Sequence, residues 1–426
     1  MRGLSSVLGL PQHRFASIHV VGTNGKSSVA RMIAALLEAH GVSAGACVSP
    51  HAARWSERVL VHGEEVGAAE FAAAVERAAE AAEVVNRTLE GGEAVTQFEL
   101  ATAAAFVALA AARVRAAAIE AGLGGRLDAT NTIPSRVTVL TSVGLDHTQW
   151  LGETEEEIAA EKLAVLRDQS TLVLGPVSPA VRALAERQAH ERGARLLVAP
   201  EDPGPTVRLR AAGPFQRRNF ALACAAAEAF LGELDRERVA SVAAGIEIPG
   251  RLERIAGDPP AYADAAHNPQ GAAALAEALP EIAATSRCGR TFDRYAVRST
   301  TSTRRAVVAC LAILRDKDAR AMVHALAPAV THVVCTQLPG LPADGHFSPV
   351  YGGQSAHRRG YGAEELAEIC AGAGVEAEAV EDFGRAVARG RAVAAGAGGI
   401  LLVTGSHYLL APARAVLASP SGSASG

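Results

Sequence analysis

The sequence predicts an α/β protein: a P-loop NTPase-like domain over residues 1–248, then a smaller Rossmann-like α/β domain over 249–418. Three observations carry this. Residues 18–21, Ile-His-Val-Val, run into Gly22-Thr23-Asn24-Gly25-Lys26-Ser27 and then an alanine-rich helical pattern, which is strand, phosphate loop and helix. Strand-like runs then alternate with helical ones along most of the chain, as in parallel sheets with helical crossovers. At 426 residues the chain exceeds one ordinary core, and the Pro249-Gly250 pair after Ile248 interrupts the helices where a boundary is expected.

The phosphate loop needs these residue types at this spacing. Gly22 and Gly25 let the backbone turn closely around an anion, so that amide N–H groups and the helix N-terminus face it. Lys26 adds a point charge toward the β and γ phosphates of a nucleotide, and the Ser27 hydroxyl reaches toward magnesium. The loop is shorter than the long form of the motif, because Val20 stands where that form has its first glycine. The competing reading is a glycine turn that caps a helix beside a surface lysine.

Taken in order, residues 1–16 form a lead-in with no predicted element. The helix over 28–40 sets Val29, Ile33, Leu36 and Leu37 on one face and stops at Gly41. Residues 44–48 read as the second strand and end at Ser49-Pro50-His51, with Glu57-Arg58-Val59 continuing a polar loop where α/β sheets place ligands. A merely solvated loop is the equal alternative. Residues 68–89 and 96–113 read as helices, the second opening on Thr96-Gln97-Phe98-Glu99, a capping-box pattern. Residues 116–121 form a buried-looking strand with Glu120 near its end, followed by Gly122-Leu123-Gly124-Gly125-Arg126-Leu127-Asp128. A buried acid there requires a partner, either magnesium or the amides of the glycine loop.

The strand over 137–142 leads to Asp146-His147, where His147 is a metal ligand through its neutral imidazole or a structural histidine. A helix over 155–166 carries Glu161-Lys162, a charged pair of the kind that ordinarily faces solvent. Strand 171–174, helix 179–192, strand 195–198 and a helix over 215–229 containing Asn219 complete the first domain. In the second, strands at 306–311, 332–335 and 400–404 alternate with helices at 319–326, 363–373 and 385–395.

Composition narrows the function classes. Hydrophobic residues make up 49% and charged ones 20%, which suits a folded protein, and a formal net charge of -4 gives no nucleic-acid footprint. The six cysteines form no C-x-x-C pair, which predicts a reducing compartment and no zinc site. No charged-then-apolar leader opens the chain, and Arg and Glu break the apolar runs, so a cytoplasmic protein without membrane contact is expected.

The ordered set G-T-N-G-K-S-S, S-P-H with E-R-V, E-A-G-L-G-G-R-L-D-A-T-N, G-L-D-H, E-K-L-A-V, F-Q-R-R-N-F, I-P-G-R-L-E and D-A-A-H-N-P resembles the folylpolyglutamate synthase and dihydrofolate synthase family, a branch of the Mur ligase superfamily. The likeness spans residues 14–270 and resumes more weakly from 305. It implies a Mur ligase central-domain-like first domain and an ATP-dependent amide ligase. The γ-phosphoryl group would go to a substrate carboxylate, and the amine of L-glutamate would displace phosphate from the acyl phosphate. The implied substrates are ATP, L-glutamate and a pterin or folate carboxylate, the implied cofactor is Mg2+ at two sites, and the implied state is a monomer.

The resemblance also assigns residues. Gly22, Thr23, Asn24, Gly25, Lys26, Ser27, Asn219, Arg251, Asp264 and His267 correspond to ATP contacts, with Asn268 beside them. Ser49, Glu120, His147 and Lys162 correspond to metal ligands, Lys162 as the lysine that becomes a carbamate. Lys26, His147 and Lys162 take the catalytic roles, and Thr96, Gln97, Phe98, Leu127, Asp128 and Ala129 the folate contacts. The chain departs from the family in its short lead-in, which implies a missing opening helix, and in irregular insertions at 285–304 and 339–362; a Ser/Gly tail at 419–426 is expected to be disordered. Two other functions stay open. A cell-wall Mur-type ligase is disfavoured because no separate UDP-binding domain is seen before the phosphate loop, and a regulatory nucleotide binder is disfavoured by Lys162 and His147.

Overall fold

The computed structural model describes residues 1–285, 305–340 and 359–418, and the chain divides into two compact units. One unit is Met1–Arg210 with Gln216–Ile246; the other is Ala211–Phe215 with Glu247–Gly426. The expected insertions fall largely, and the expected tail wholly, outside the described residues. Among the described residues, no helix is long and apolar enough to cross a membrane.

The first unit is built on eight strands: β1 Ala16–Val21, β2 Ala44–Cys47, β3 Val59–Val61, β4 Glu64–Glu65, β5 Ala116–Glu120, β6 Ser135–Leu140, β7 Thr171–Leu174 and β8 Arg195–Val198. Their order is β4-β3-β2-β5-β1-β6-β7-β8. From β2 to β8 every pairing is parallel, while β3 and β4 add an antiparallel edge. Register pairs Val20 with Glu120 and Val21 with Leu140, so β1, β5 and β6 end together and their following loops emerge at one edge of the sheet.

Helices cover both faces, which is why the central strands read as unbroken apolar runs. Every residue of β5 is buried. Helix Gln97–Ala111 is apolar on nearly all sides and is buried over Thr102 to Leu109. Its start is fixed by a reciprocal capping box in which Glu99 N donates to Thr96 Oγ1 at 3.2 Å and Thr96 N donates to Glu99 Oε2 at 2.9 Å. Phe106 from this helix and Phe15 sit in one core cluster with ring centroids 6.4 Å apart. Nine of the cluster's buried residues are alanines, so its larger side chains carry much of the apolar burial.

The second unit holds six strands, β9 Glu253–Gly257, β10 Pro260–Ala263, β11 Val307–Leu311, β12 His332–Cys335, β13 Glu376–Ala379 and β14 Ile400–Thr404, in the order β13-β12-β11-β14-β10-β9. Among the described strands of this sheet only the β9–β10 pair is antiparallel, and β11 and β14 are buried along their full length.

Four expectations need correction. The lead-in is not structureless: helix Arg2–Val7 and a 3-10 turn at Pro11–His13 precede β1. Six residues show no period, and the helix is held by tertiary burial of Leu4 and Leu8 against the cluster that includes Ala78 and Ala82. The polar loop after β2 contains the short strands β3 and β4, too brief to show alternation. The helix expected over 155–166 ends at Leu163. Residues 359–362 are not irregular: Tyr361 N donates to Ile313 O at 2.9 Å, Arg315 N donates to Arg359 O at 2.8 Å, and Gly360 bridges Leu314.

Because Phe106 is fully buried among small neighbours that cannot collapse into its space, Phe106→Ala should lower unfolding free energy by about 3–5 kcal/mol. Urea denaturation of the full chain checks this, and a change below about 1 kcal/mol would contradict the packing described.

Candidate active site

The phosphate loop leaves β1 and turns into helix Lys26–Ala39 through two glycines with positive φ, Gly22 at 149° and Gly25 at 86°. Side chains would not fit either position: a Cβ at Gly22 would stand 1.9 Å from Thr141 Oγ1, and one at Gly25 would stand 2.6 Å from Asn219 Oδ1. The loop is braced from β6, since Thr23 N donates to Ser142 O at 2.8 Å and Asn24 N donates to Ser142 Oγ at 3.1 Å. Lys26 Nζ donates to the carbonyls of Gly22 and Thr23 at 3.0 and 3.1 Å, which arches its chain over the loop. Asn219 is fixed beside the loop by Nδ2 donating to Gln216 Oε1 at 3.0 Å.

Glu120 ends β5 at the same edge. Ser49 N donates to its Oε2 at 2.8 Å. Ser27 Oγ lies 3.0 Å from its Oε1 and 3.0 Å from Ser49 O, so its single proton serves one acceptor at a time. Glu120, Ser27 and Ser49 are therefore brought together by loops that leave β5, β1 and β2. The sequence allowed magnesium or the glycine-loop amides as partners of Glu120, and the amide of Ser49 is a further one. Among the described residues no group of three or more His, Cys, Asp or Glu side chains is arranged to hold a metal. One carboxylate with two serines still suits magnesium, a hard cation that keeps several waters and takes one or two carboxylates plus substrate phosphates. The donor set fits.

His147 follows β6 in a left-handed conformation with φ at 51° and caps the short helix Thr148–Leu151. Asp146 Oδ1 accepts its backbone N–H at 3.0 Å and lies 3.8 Å from its Nε2, beyond hydrogen-bond distance.

Lys162 is the residue whose surroundings depart most from its sequence context. Instead of facing solvent on helix Glu155–Leu163, it is 4% exposed. Burial, and next the nearby charge of Lys26, lower its amine to about 7, while Asp146, Asp128 and Glu161 oppose the shift. This influence of Lys26 places Lys162 within reach of the phosphate loop's electrostatics. Arg126 joins the glycine loop to the same helix, through N to Glu161 O at 3.1 Å and Nε to Glu161 Oε2 at 3.0 Å.

The residues matched to folate contacts divide in two. Phe98 lines a small pocket with Val48, Ser49, Arg58, Thr102 and Glu120. Thr96 and Gln97 are exposed at the helix start, and Leu127 is 88% exposed. Asp128 and Ala129 are buried. Both oxygens of Asp128 hold the loop itself, accepting Leu123 N at 2.8 Å and Thr130 N at 2.9 Å.

Arg251, Asp264 and His267 belong to the second unit. Asp264 accepts Leu252 N and Ala266 N, each at 2.8 Å, and burial raises its carboxyl above the usual range. Arg251 Nη1 donates to Gly250 O at 2.9 Å, and His267 Nδ1 lies 2.8 Å from Ala265 O. Asn268 Oδ1 accepts Gly271 N at 2.8 Å at the start of helix Pro269–Thr285.

Sequence reasoning placed His51 and Arg58 in a polar loop where ligands bind, without giving either a role. Arg58 Nε donates to His51 Nδ1 at 2.9 Å, and its guanidinium lies 4.5 Å from the Trp55 ring centroid. Burial, and next Arg58, lower His51 to about 4, so this imidazole is a neutral acceptor. The signal was a cation three residues after a tryptophan, too common in loops to stand out.

Residues 20–195 match the Mur ligase middle domain. The dihydrofolate synthase/folylpolyglutamate synthase of Mycobacterium tuberculosis is 33% identical over 373 residues, which cover 78% of this chain and 72% of that protein. Among solved structures, Mycobacterium tuberculosis folylpolyglutamate synthase complexed with ADP has a TM-score of 0.83 at 28% identity, covering 98% of this chain and 94% of that one. A bifunctional folylpolyglutamate synthase/dihydrofolate synthase with Mn, AMPPNP and L-glutamate bound has a TM-score of 0.76 at 26% identity, covering 98% and 93%. With that identity held over most of both chains, and the phosphate loop and Glu120 meeting at one sheet edge, this chain belongs to the folylpolyglutamate synthase/dihydrofolate synthase family.

Proposed function

We propose that this protein is an ATP-dependent ligase that joins L-glutamate to the carboxylate of dihydropteroate, of a folate, or of both. The observation that carries the reading is the meeting of the phosphate loop with Glu120 and Ser49, in a chain whose relatives are named for this ligation and include structures with ADP, AMPPNP, Mn and L-glutamate.

A carboxylate is a poor electrophile, and phosphorylation gives it a leaving group. The amides at the N-terminus of helix Lys26–Ala39 bind and orient the polyphosphate, and Lys26 swings from its loop carbonyls toward the β and γ oxygens. Ser27, Ser49 and Glu120 would hold magnesium, which when bound supplies charge neutralisation during phosphoryl transfer. The carboxylate oxygen bonds to the γ-phosphorus as the β–γ bridge breaks, and ADP leaves. The amine of glutamate then adds to the acyl carbon, loses a proton, and expels phosphate as the amide forms. Asn219 lies beside Gly25 to meet the nucleotide. Phe98 in its pocket and the loop through Leu127, Asp128 and Ala129 are assigned to the pterin or folate.

Lys162 is proposed to act as its carbamate, which with His147 would hold a second magnesium. A buried ammonium near Lys26 is repelled, whereas a neutral amine adds to CO2 and releases a proton to become an anion. With the amine near 7, the neutral form dominates above that pH and is lost below it.

Turnover with ATP and magnesium should require glutamate together with dihydropteroate or tetrahydrofolate, and Lys26→Ala should abolish it without loss of fold. Phosphate release that depends on a muramyl substrate instead, or that ignores glutamate, would contradict the assignment.

In bicarbonate buffer, turnover should fall as pH is lowered through about 7. Lys162→Ala should be nearly inactive and be partly restored by a short carboxylic acid that fills the vacated space. Near-normal turnover of the variant would contradict the carbamate.

A further inference from the structure

His19 lies in the middle of β1, inside an otherwise apolar run, and is fully buried. Its Nε2 is 2.8 Å from Thr130 Oγ1. The Thr130 hydroxyl donates its one proton to Asp128 Oδ1, so the bond from His19 runs from Nε2–H to the hydroxyl oxygen, and Nδ1 is the bare nitrogen. Nδ1 has no hydrogen-bond partner. Burial, and next Arg167, lower the imidazole to about 3, so it stays neutral and its tautomer is set by Thr130 alone.

A buried imidazole with one nitrogen unpaired is costly in a strand where Val or Ile would pack without penalty. What it gains is a relay across 111 residues of sequence, from the strand that carries the phosphate loop to the loop after Glu120. Asp128, at the end of the relay, gathers the amides of Leu123 and Thr130 and so shapes the turn that presents Leu127, Asp128 and Ala129. We propose that His19 is a positioning residue that, through Thr130, fixes Asp128 and the 122–131 loop in the form that receives the pterin or folate substrate. This rests on the assignment of that loop to the carboxylate substrate. His19 touches neither substrate nor nucleotide, and it acts on substrate affinity rather than on phosphoryl transfer.

The test compares the full-length wild type with His19→Leu, which removes the donor, and His19→Gln, whose amide nitrogen reaches the Nε2 position. Hydrogen–deuterium exchange over 122–131 reads the amides of Leu123 and Thr130, and steady-state kinetics read KM for dihydropteroate or tetrahydrofolate. In His19→Leu, exchange in that loop should rise while β7 and β8 stay protected, and the pteroate or folate KM should rise about tenfold, the loss of one buried hydrogen bond, with kcat and the ATP KM unchanged. His19→Gln should restore both. Unchanged loop exchange in His19→Leu, a uniform rise over the whole first unit, or raised exchange with an unaltered substrate KM would each overturn the proposal. A wild type that ligates neither carboxylate would overturn the functional reading, and loop exchange would still decide the relay.

Discussion

The carboxylate of Glu120 is the constraint on which the site depends. It lies at the end of a fully buried strand, where an unpartnered anion would be far costlier than any neighbouring contact could offset. It is oriented by the Ser49 amide and the Ser27 hydroxyl, from the loop after β2 and from the helix after the phosphate loop. One carboxylate therefore joins the start of the helix after the phosphate loop to the loop after β2. The strand order β2-β5-β1 makes this possible, because it sets β5 between the strands whose loops supply the two partners.

The same edge accumulates cations that cannot all be charged. Lys26 is anchored on loop carbonyls, and Lys162 is buried within its field. An amine brought near neutrality in such a place is a chemical group rather than a surface charge, which separates Lys162 from the solvated face its helix sequence suggests. Polyphosphate and magnesium would enter a site that already carries a balance of one buried acid and two amines, one of them largely neutral above pH 7.

Local patterns were legible in the sequence, and long-range ones were not. Strand, glycine loop and helix are adjacent in the chain, so Gly22 to Ser27 stand out by spacing alone, and Thr96 with Glu99 reveal a helix start within four residues. The buried parallel strands show as apolar runs because both faces are covered. Helix Arg2–Val7 is invisible because what holds it is distant in sequence, Leu4 and Leu8 packed in a cluster with Ala78 and Ala82 and the N-terminus paired with Glu99. β3 and β4 are too short for alternation to register. Glu120 was visible as an acid in an apolar strand, but its partners Ser27 and Ser49 lie 93 and 71 residues away. His19 carried the same kind of signal, a polar group in a core strand, and its meaning appears only when Thr130 is seen against it.

All of this chemistry converges on one intermediate, an acyl phosphate formed between the substrate carboxylate and the γ-phosphoryl group. Its formation leaves an oxygen trace, since phosphate departs with one oxygen of the original carboxylate. Dihydropteroate or tetrahydrofolate labelled with 18O in its carboxylate, incubated with ATP, magnesium and glutamate, therefore provides the most direct measurement. The released inorganic phosphate should carry one labelled oxygen per amide bond formed; unlabelled phosphate accompanying normal amide formation would contradict the account.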